Sequence, residues 1–500
     1  MADGGREHAV LWTVRELEQL SQGKWLRKPG ADWNPRYVRR GPKHPGWLSD
    51  AVIFVRSIGQ LQTIAKLEPE LKSAPAGCIV VPNSLSTSQY CPAQIPILVA
   101  DSHPEAIMAL AKVARERNHG DFVVVTGTVG KTTTRTMLTH ILEKHGATGT
   151  NVTNTYVLQH VASTHSNLRY SVFEIGLGQG KESFSDLGLL ICPNVVVLTQ
   201  LGLAHLDAVH APSDGQALTT DEGLKLVLQH KLQLLEGLEP SGTFIANAEI
   251  PFFDEIVSNL PLGNKRMISF GDHPRSEARL IEILSKGKGS LVTAKVRGRE
   301  LQYFIPLPGR FMATNSLAAL LAAETLGIDV SEAAASLSDF KPIGGRAIVK
   351  NLTIGGKRFT LIDDSYNATP LSVRASFQLL QDLAPTGMGR KIAVLGDIAH
   401  LEGLSSSLHA GLARDAVVAG VDRIYTYGSE MLHLQCALPE NVAAGHFTTK
   451  CELVERLISD LRPGDVIAVK ASMPSKMGTL VRMVRNLADA LPRSTADSRV

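Results

Sequence analysis

The feature that most constrains this chain is the run Val125-Thr126-Gly127-Thr128-Val129-Gly130-Lys131-Thr132-Thr133-Thr134. It follows the apolar stretch Phe122-Val123-Val124-Val125 and precedes the helical pattern Met137-Leu138-His140-Ile141-Leu142. Strand, glycine loop and helix in that order let backbone amides approach phosphate oxygens, and the helix start adds favourable dipole charge. Lys131 can reach the outer phosphates of a nucleoside triphosphate, and the Thr132 hydroxyl can ligate Mg²⁺. Gly127, Thr128, Val129, Gly130, Lys131, Thr132 and Thr133 are therefore read as an ATP cradle. It is a short form, with only Thr128 and Val129 between its glycines where the standard loop has four residues. A plain glycine turn could contain some of these residues, and the cradle alone fits kinases, ATPases, GTPases and ATP-driven ligases alike.

A chain of 500 residues exceeds what one hydrophobic core supports. Three domains are expected, 1–118, 119–342 and 343–500. The net charge of +3 is too small to imply a nucleic-acid or membrane partner. Cys78, Cys91, Cys192, Cys436 and Cys451 are widely spaced, without a Cys-x-x-Cys pair, and read as reduced structural thiols. The opening Met1-Ala2-Asp3-Gly4-Gly5-Arg6-Glu7-His8 lacks the apolar core of a signal peptide, and no apolar run approaches the roughly 20 residues that span a bilayer. A cytoplasmic monomer is expected.

In the first region, apolar runs at 51–55 and 78–81 alternate with helical patterns such as 104–117, which reads as a small α/β domain. Trp12, Trp25, Trp33 and Trp47 all lie here, and Lys24, Arg27, Lys28, Arg36, Arg39, Arg40 and Lys43 cluster against the single acid Asp32. That cluster reads either as an anion-binding face or as a solvated basic surface. The second region repeats continuous apolar strands, at 123–125, 171–175, 195–199 and 242–246, between helices, the mark of a buried parallel sheet. Lys131, Glu174 and Thr199 to His205 end or follow strands, where such sheets bind ligands. A third region, with strands near 360–362, 392–395, 423–425 and 466–469, reads as a dinucleotide-type fold without a Gly-x-Gly-x-x-Gly fingerprint after its first strand. From Pro492 the tail is polar and reads as frayed.

A carboxylate ending an apolar strand, as Glu174 does, calls for a cation, either Mg²⁺ or an Arg or Lys. His205, in the loop after the next strand, can ligate a metal or serve a structural role. Lys231 taken alone passes for a surface lysine. It is the order of the pieces that resembles a family. Thr126 to Thr134, Phe173-Glu174-Ile175-Gly176, Ala204-His205-Leu206-Asp207, Lys231 with Gly237-Leu238, and Asn247-Ala248-Glu249 are similar to the ATP-dependent Mur ligases. Pro308-Gly309-Arg310, Asn315 to Ala319, Gly345-Arg346, Leu361 to Pro370, Val394 to Asp397, His409 and Val469 to Ser472 continue the resemblance over about three quarters of the chain.

The resemblance implies a three-domain α/β architecture, with a central P-loop parallel-sheet ATPase domain and a Rossmann-like C-terminal domain. It implies a carboxylate–amine ligase of peptidoglycan biosynthesis that works through an acyl phosphate. Asp363-Asp364-Ser365-Tyr366-Asn367-Ala368 points to members that add D-alanyl-D-alanine to UDP-N-acetylmuramoyl-tripeptide. Lys131 would hold the β and γ phosphates, Thr132 and Glu174 a first Mg²⁺, and His205 with a carbamylated Lys231 a second. Asn247 and Asn315 match adenine contacts, Asp364 a ribose contact, and Arg346 a residue reaching the γ-phosphate from the third domain.

The chain departs from the family pattern at Val129 (Asn or Ser), Phe311 (His) and His400 (Glu). An insertion around His210 to Gly215 makes Lys225 a rival to Lys231, and in the first domain only Asp50 to Gly59 is similar. Another amide of specialised metabolism, made on other small-molecule carboxylate and amine substrates, stays open as an alternative, as does a P-loop kinase.

Overall fold

The computed structural model describes residues 11–489 apart from 31–32, 34, 42–47, 49, 72–76, 151–156, 179–181, 209–218, 261–262 and 287. The opening residues 1–8, Asp32, Lys43, Trp47, the segment 210–215 and the tail from Pro492 lie outside the described residues.

Each region read from the sequence contributes one sheet. In the first, five strands lie in the order Lys24–Arg27, Ile97–Val99, Cys78–Val81, Ala51–Phe54, Tyr37–Arg40. Its two outer strands carry the basic residues, so the cluster that looks compact in sequence is divided between opposite edges. At one edge Arg27 Nη1 donates to the Pro92 and Ile95 carbonyls at 2.7 and 2.8 Å. At the other, Arg39 stacks on the Tyr37 ring at 4.2 Å and pairs with Asp50.

The central sheet has nine strands. Thr148–Thr150, Tyr170–Glu174, Asp121–Thr126, Val195–Leu198, Thr243–Asn247 and Arg266–Gly271 run parallel, and Ala278–Lys286 joins them before turning into an antiparallel meander with Gly289–Val296 and Arg299–Ile305. The parallel strands are buried on both faces, as their unbroken apolar runs require. The meander alternates instead, Gly289–Val296 burying Val292, Ala294 and Val296 and leaving Lys295 exposed, which is why a search for continuous apolar runs passes over it. The helix Arg310–Thr325 closes this face with Ala313, Leu317, Leu320 and Leu321, all fully buried, beside the helix Lys131–Leu142.

The third sheet runs Ile348–Ile354, Lys357–Asp364, Val466–Lys470, Lys391–Gly396, Arg423–Tyr427, Ala443–Phe447, parallel except for the first strand, which pairs antiparallel in a hairpin. Contacts tie the first two regions: Trp12, fully buried, donates from Nε1 to the Ala162 carbonyl at 3.0 Å, and the Val38 amide donates to Ser163 Oγ at 2.8 Å. The five cysteines are free thiols, and burial pushes that of Cys78 well above its ordinary value. Among the described residues no helix is long and apolar enough to cross a membrane.

Candidate active site

The strand Asp121–Thr126 delivers the chain into the glycine loop at its carboxyl end. Both glycines are required. At Gly127, φ is +138° and a Cβ would stand 2.0 Å from Thr199 Oγ1; at Gly130, φ is +94° and a Cβ would stand 2.3 Å from Asn315 Oδ1. The loop is pinned by the segment after the neighbouring strand: the Thr128 amide donates to the Gln200 carbonyl at 2.6 Å, and Thr128 Oγ1 donates to the Gly202 carbonyl at 2.8 Å. Val129 takes part through its backbone, its carbonyl accepting from the Gln200 amide at 3.3 Å. Its side chain can therefore differ from the family pattern without reshaping the loop. Lys131 Nζ donates to the Thr128 carbonyl at 3.0 Å.

Glu174 ends the adjacent strand with its carboxylate against this loop. Oε1 accepts from Thr132 Oγ1 at 2.8 Å, and Arg135 Nε lies 3.4 Å from Oε2. Arg346, from the turn before the third sheet, donates from Nη2 to the same Thr132 Oγ1 at 2.8 Å. Arg135 belongs to no motif, yet it sits one helical turn beyond Lys131, and that i,i+4 spacing is the signal that finds it. Lys131, Arg135 and Arg346 thus surround one carboxylate. Burial pushes the Lys131 ammonium below its ordinary range; Glu174 opposes this and Arg346 adds to it. A cluster with surplus positive charge suits a polyanion. Arg346 Nε is buried and has no hydrogen-bond partner among the described residues, a donor that an anion would satisfy.

Lys231, in the helix Thr220–Leu232, is 2% exposed and donates from Nζ to the Gly127 carbonyl at 2.9 Å. Burial, with the Lys131 charge nearby, drives it well below the ordinary lysine value. The shift favours the unprotonated amine, the form of a lysine that adds CO₂. Lys225 instead is exposed, its ammonium over the Phe252 ring at 5.2 Å. Burial and then Lys131 hold His205 near pKa 4, so its imidazole is neutral at physiological pH, the metal-ligating form. The hydroxyl and carboxylate oxygens of Thr132 and Glu174 are donors of the kind Mg²⁺ takes.

Residues of the third sheet complete the enclosure. Gly345, at φ +75°, allows a turn whose carbonyl accepts from the Tyr366 amide at 3.1 Å; a Cβ there would meet Tyr366 at 3.0 Å. The turn sets the Arg346 guanidinium 4.3 Å from the Tyr366 ring centroid. Asp364 Oδ2 accepts from Lys470 Nζ at 2.7 Å and from Ser376 Oγ at 2.6 Å. Lys470 and Tyr366 were visible only as members of motifs, with no role readable from them. Gly127 to Thr133, Glu174, His205, Lys231, Asn315, Arg346 and Asp364 all line one cavity of about 170 Å³, and Phe311 lines it too. Asn247 does not: it ends its strand buried, its Oδ1 accepting from the Glu249 amide at 2.8 Å. A second cavity of about 540 Å³ adjoins the first and is lined by His205, Asn367, His400, Ser472 and Lys476. His409 is fully buried and holds the loop beneath it, donating from Nδ1 to the Ser405 carbonyl at 2.8 Å and accepting the Ile398 amide at Nε2 at 3.1 Å.

Three buried or half-buried histidines share a depressed pKa. Burial holds His103 and His205 near 4 and His160 near 3, with neighbouring cations adding to it. Each binds a proton more readily when unfolded, so their contribution is intact above about pH 6.5 and is lost as pH falls toward 4. The melting temperature is therefore expected to drop between pH 7 and pH 5 in a fluorescence melt. A flat profile over that window would contradict the neutral assignment.

The family models for the Mur ligase middle domain and the Mur ligase glutamate ligase domain match residues 125–323 and 351–473, in that order. The chain belongs to the Mur ligase family. As a Mur ligase it is an ATP-dependent enzyme that joins a carboxylate to an amine, with the three-domain α/β architecture of that family. It is 28% identical to the UDP-N-acetylmuramoyl-tripeptide--D-alanyl-D-alanine ligase of Bacillus subtilis, over 77% of this chain and 80% of the relative. It is 25% identical to the ligase of the same name from Escherichia coli, over 88% and 92%. Among solved structures, the fold is similar to MurF of Acinetobacter baumannii (TM-score 0.74, 22% identity, 95% of this chain and 98% of that one). It is also similar to MurF ligase of Thermotoga maritima in complex with ADP (TM-score 0.67, 18% identity, 92% and 97%).

Proposed function

We propose that this Mur ligase couples ATP hydrolysis to amide formation between a UDP-N-acetylmuramoyl-tripeptide carboxylate and the amine of D-alanyl-D-alanine. The observation that carries the reading is the meeting of Arg346 with the glycine-loop helix at Thr132, 2.8 Å apart, beside Lys131 and Glu174. Segments with boundaries near 118 and 342 would then act as a carboxylate-binding domain, a nucleotide-binding domain and an amine-binding domain, in a monomer of the cytoplasm.

Lys131 binds the β and γ phosphates, the loop amides cradle them, and Arg346 meets the γ-phosphoryl group from the opposite side. Asn315 is assigned to adenine and Asp364 to ribose; Asn247, matched to adenine by the family pattern, lies outside the cavity lining, and its Oδ1 already accepts from the Glu249 amide. Mg²⁺, held by Thr132 and Glu174 and at a second position by His205 and carbamylated Lys231, would offset phosphate charge. The substrate carboxylate oxygen attacks the γ-phosphorus, the bond to the β-phosphate oxygen breaks, and ADP leaves. The amine nitrogen then adds to the acyl carbon, loses a proton, and expels inorganic phosphate through a tetrahedral intermediate. Because Arg346 lies in the turn before the third sheet and Lys131 opens the helix after a strand of the central sheet, closure both completes the charge constellation and keeps water from the acyl phosphate.

The test is to mix purified protein with UDP-N-acetylmuramoyl-tripeptide, D-alanyl-D-alanine, ATP and Mg²⁺, and to follow phosphate and product mass. The expected result is one amide per phosphate. A second reading, the same chemistry on another pair of substrates, is favoured by His400, which lines the larger cavity beside Lys476 where the family pattern has Glu. It predicts no phosphate release with these compounds and release with another carboxylate and amine from a panel.

A further inference from the structure

Two loops from different sheets meet beside the nucleotide cavity. His205 and Asp207 follow the strand Val195–Leu198, and His400 follows Lys391–Gly396. The two imidazoles stack with centroids 4.9 Å apart and planes 25° apart. Asp207 Oδ2 lies 2.8 Å from His400 Nδ1, and one ligand atom from each of the three residues falls within 4.8 Å of the others. The backbones are tied as well, the Leu206 amide donating to the His400 carbonyl at 3.1 Å. His205 and His400 both adopt left-handed backbone, φ +52° and +63°. That conformation costs a non-glycine residue about 1–2 kcal/mol, so strain sits at both residues whose rings are brought together.

We infer that His205, Asp207 and His400 form a binding site for a divalent transition-metal ion, bridging the central and third sheets. Two imidazoles and a carboxylate suit Zn²⁺, Co²⁺ or Ni²⁺, whereas Mg²⁺ prefers oxygen ligands throughout. Asp207 and His400 are 40% and 45% exposed, which gives an ion an entry path. Because the ligands come from two sheets, the ion binds only when the two are together and so favours the closed arrangement. One consequence rests on the ligase reading: a neutral imidazole offers one lone pair, so an ion here withdraws His205 from the Lys231 side and slows turnover.

The test is a Co²⁺ titration of the full-length protein without nucleotide, followed by visible absorption. One Co²⁺ per chain is expected to bind with ligand-field bands that millimolar Mg²⁺ does not remove. Affinity should fall at least tenfold in both His400→Gln and Asp207→Asn. These side chains are part-exposed, and a thermal melt of each variant confirms that it is folded. Absence of the bands, or undiminished binding in both folded variants, would overturn the inference. Phosphate release on the same preparation separates the two claims: turnover without Co²⁺ binding removes the metal site alone, and Co²⁺ binding without turnover removes the ligase reading alone.

Discussion

Replacing Arg346 by alanine is expected to lower the rate of amide formation about 10³-fold while ATP binding stays within a few-fold of wild type, by analogy with arginines that enter a phosphoryl-transfer site from outside the nucleotide-binding loop. That loss corresponds to about 4 kcal/mol of transition-state stabilisation. The asymmetry follows from position. The glycine loop and Lys131 follow a strand of the central sheet and on the proposed reading would grip the nucleotide by themselves, whereas Arg346 arrives from the turn before the third sheet and donates to Thr132 Oγ1. Arg346→Lys should rescue little, because the guanidinium lies over the Tyr366 ring while its Nη2 donates to Thr132, and an ammonium cannot do both. Single-turnover kinetics with ATP, set against nucleotide binding by calorimetry, provides the check. An equal loss in both would assign Arg346 to binding instead of to the reaction.

Lys231→Ala is expected to reduce turnover about 10²–10³-fold, the size seen when one preorganised electrostatic group is removed from a reacting centre. The wild-type protein, equilibrated with ¹³C-bicarbonate, should show a carbamate carbonyl resonance that the variant lacks. Burial and then Lys131 lower the Lys231 pKa well below its ordinary value, which favours the unprotonated amine that adds CO₂, and its Nζ lies 2.9 Å from the Gly127 carbonyl of the glycine loop. The variant also leaves that carbonyl without this buried donor, at a cost of about 1–3 kcal/mol. Lys231→Met, which fills the space, is the better-folded control. Full activity in either variant, or a missing resonance in an active wild-type enzyme, would remove the carbamate from the mechanism.

What the sequence made legible was whatever a short stretch determines. Gly127, Gly130, Lys131 and Thr132 declare themselves because strand, positive-φ turn and helix start are encoded within ten residues. Glu174 was legible as a carboxylate needing a cation, although neither Arg135 nor Arg346 could be named as its company from the strand alone. Arg346, Asn315 and Asp364 came through resemblance to the family, since nothing local says that a turn before the third sheet reaches back to Thr132. The basic cluster of the first region stayed open between an anion-binding face and a solvated surface because adjacency along the chain does not give adjacency in space; the sheet order sends Lys24–Arg27 and Tyr37–Arg40 to opposite edges. The stacking of His205 on His400 was illegible for the same reason in reverse: two distant loops meet only once both sheets are assembled.

The central claim, that a carboxylate is activated by direct phosphorylation before nitrogen attacks, is tested most directly by isotope transfer. The carboxylate substrate is labelled with ¹⁸O in both oxygens, turned over with unlabelled ATP and the amine, and the inorganic phosphate is analysed by mass spectrometry. The account predicts one ¹⁸O in each phosphate released, one for every amide formed. Phosphate carrying no label, with amide still produced, would contradict it.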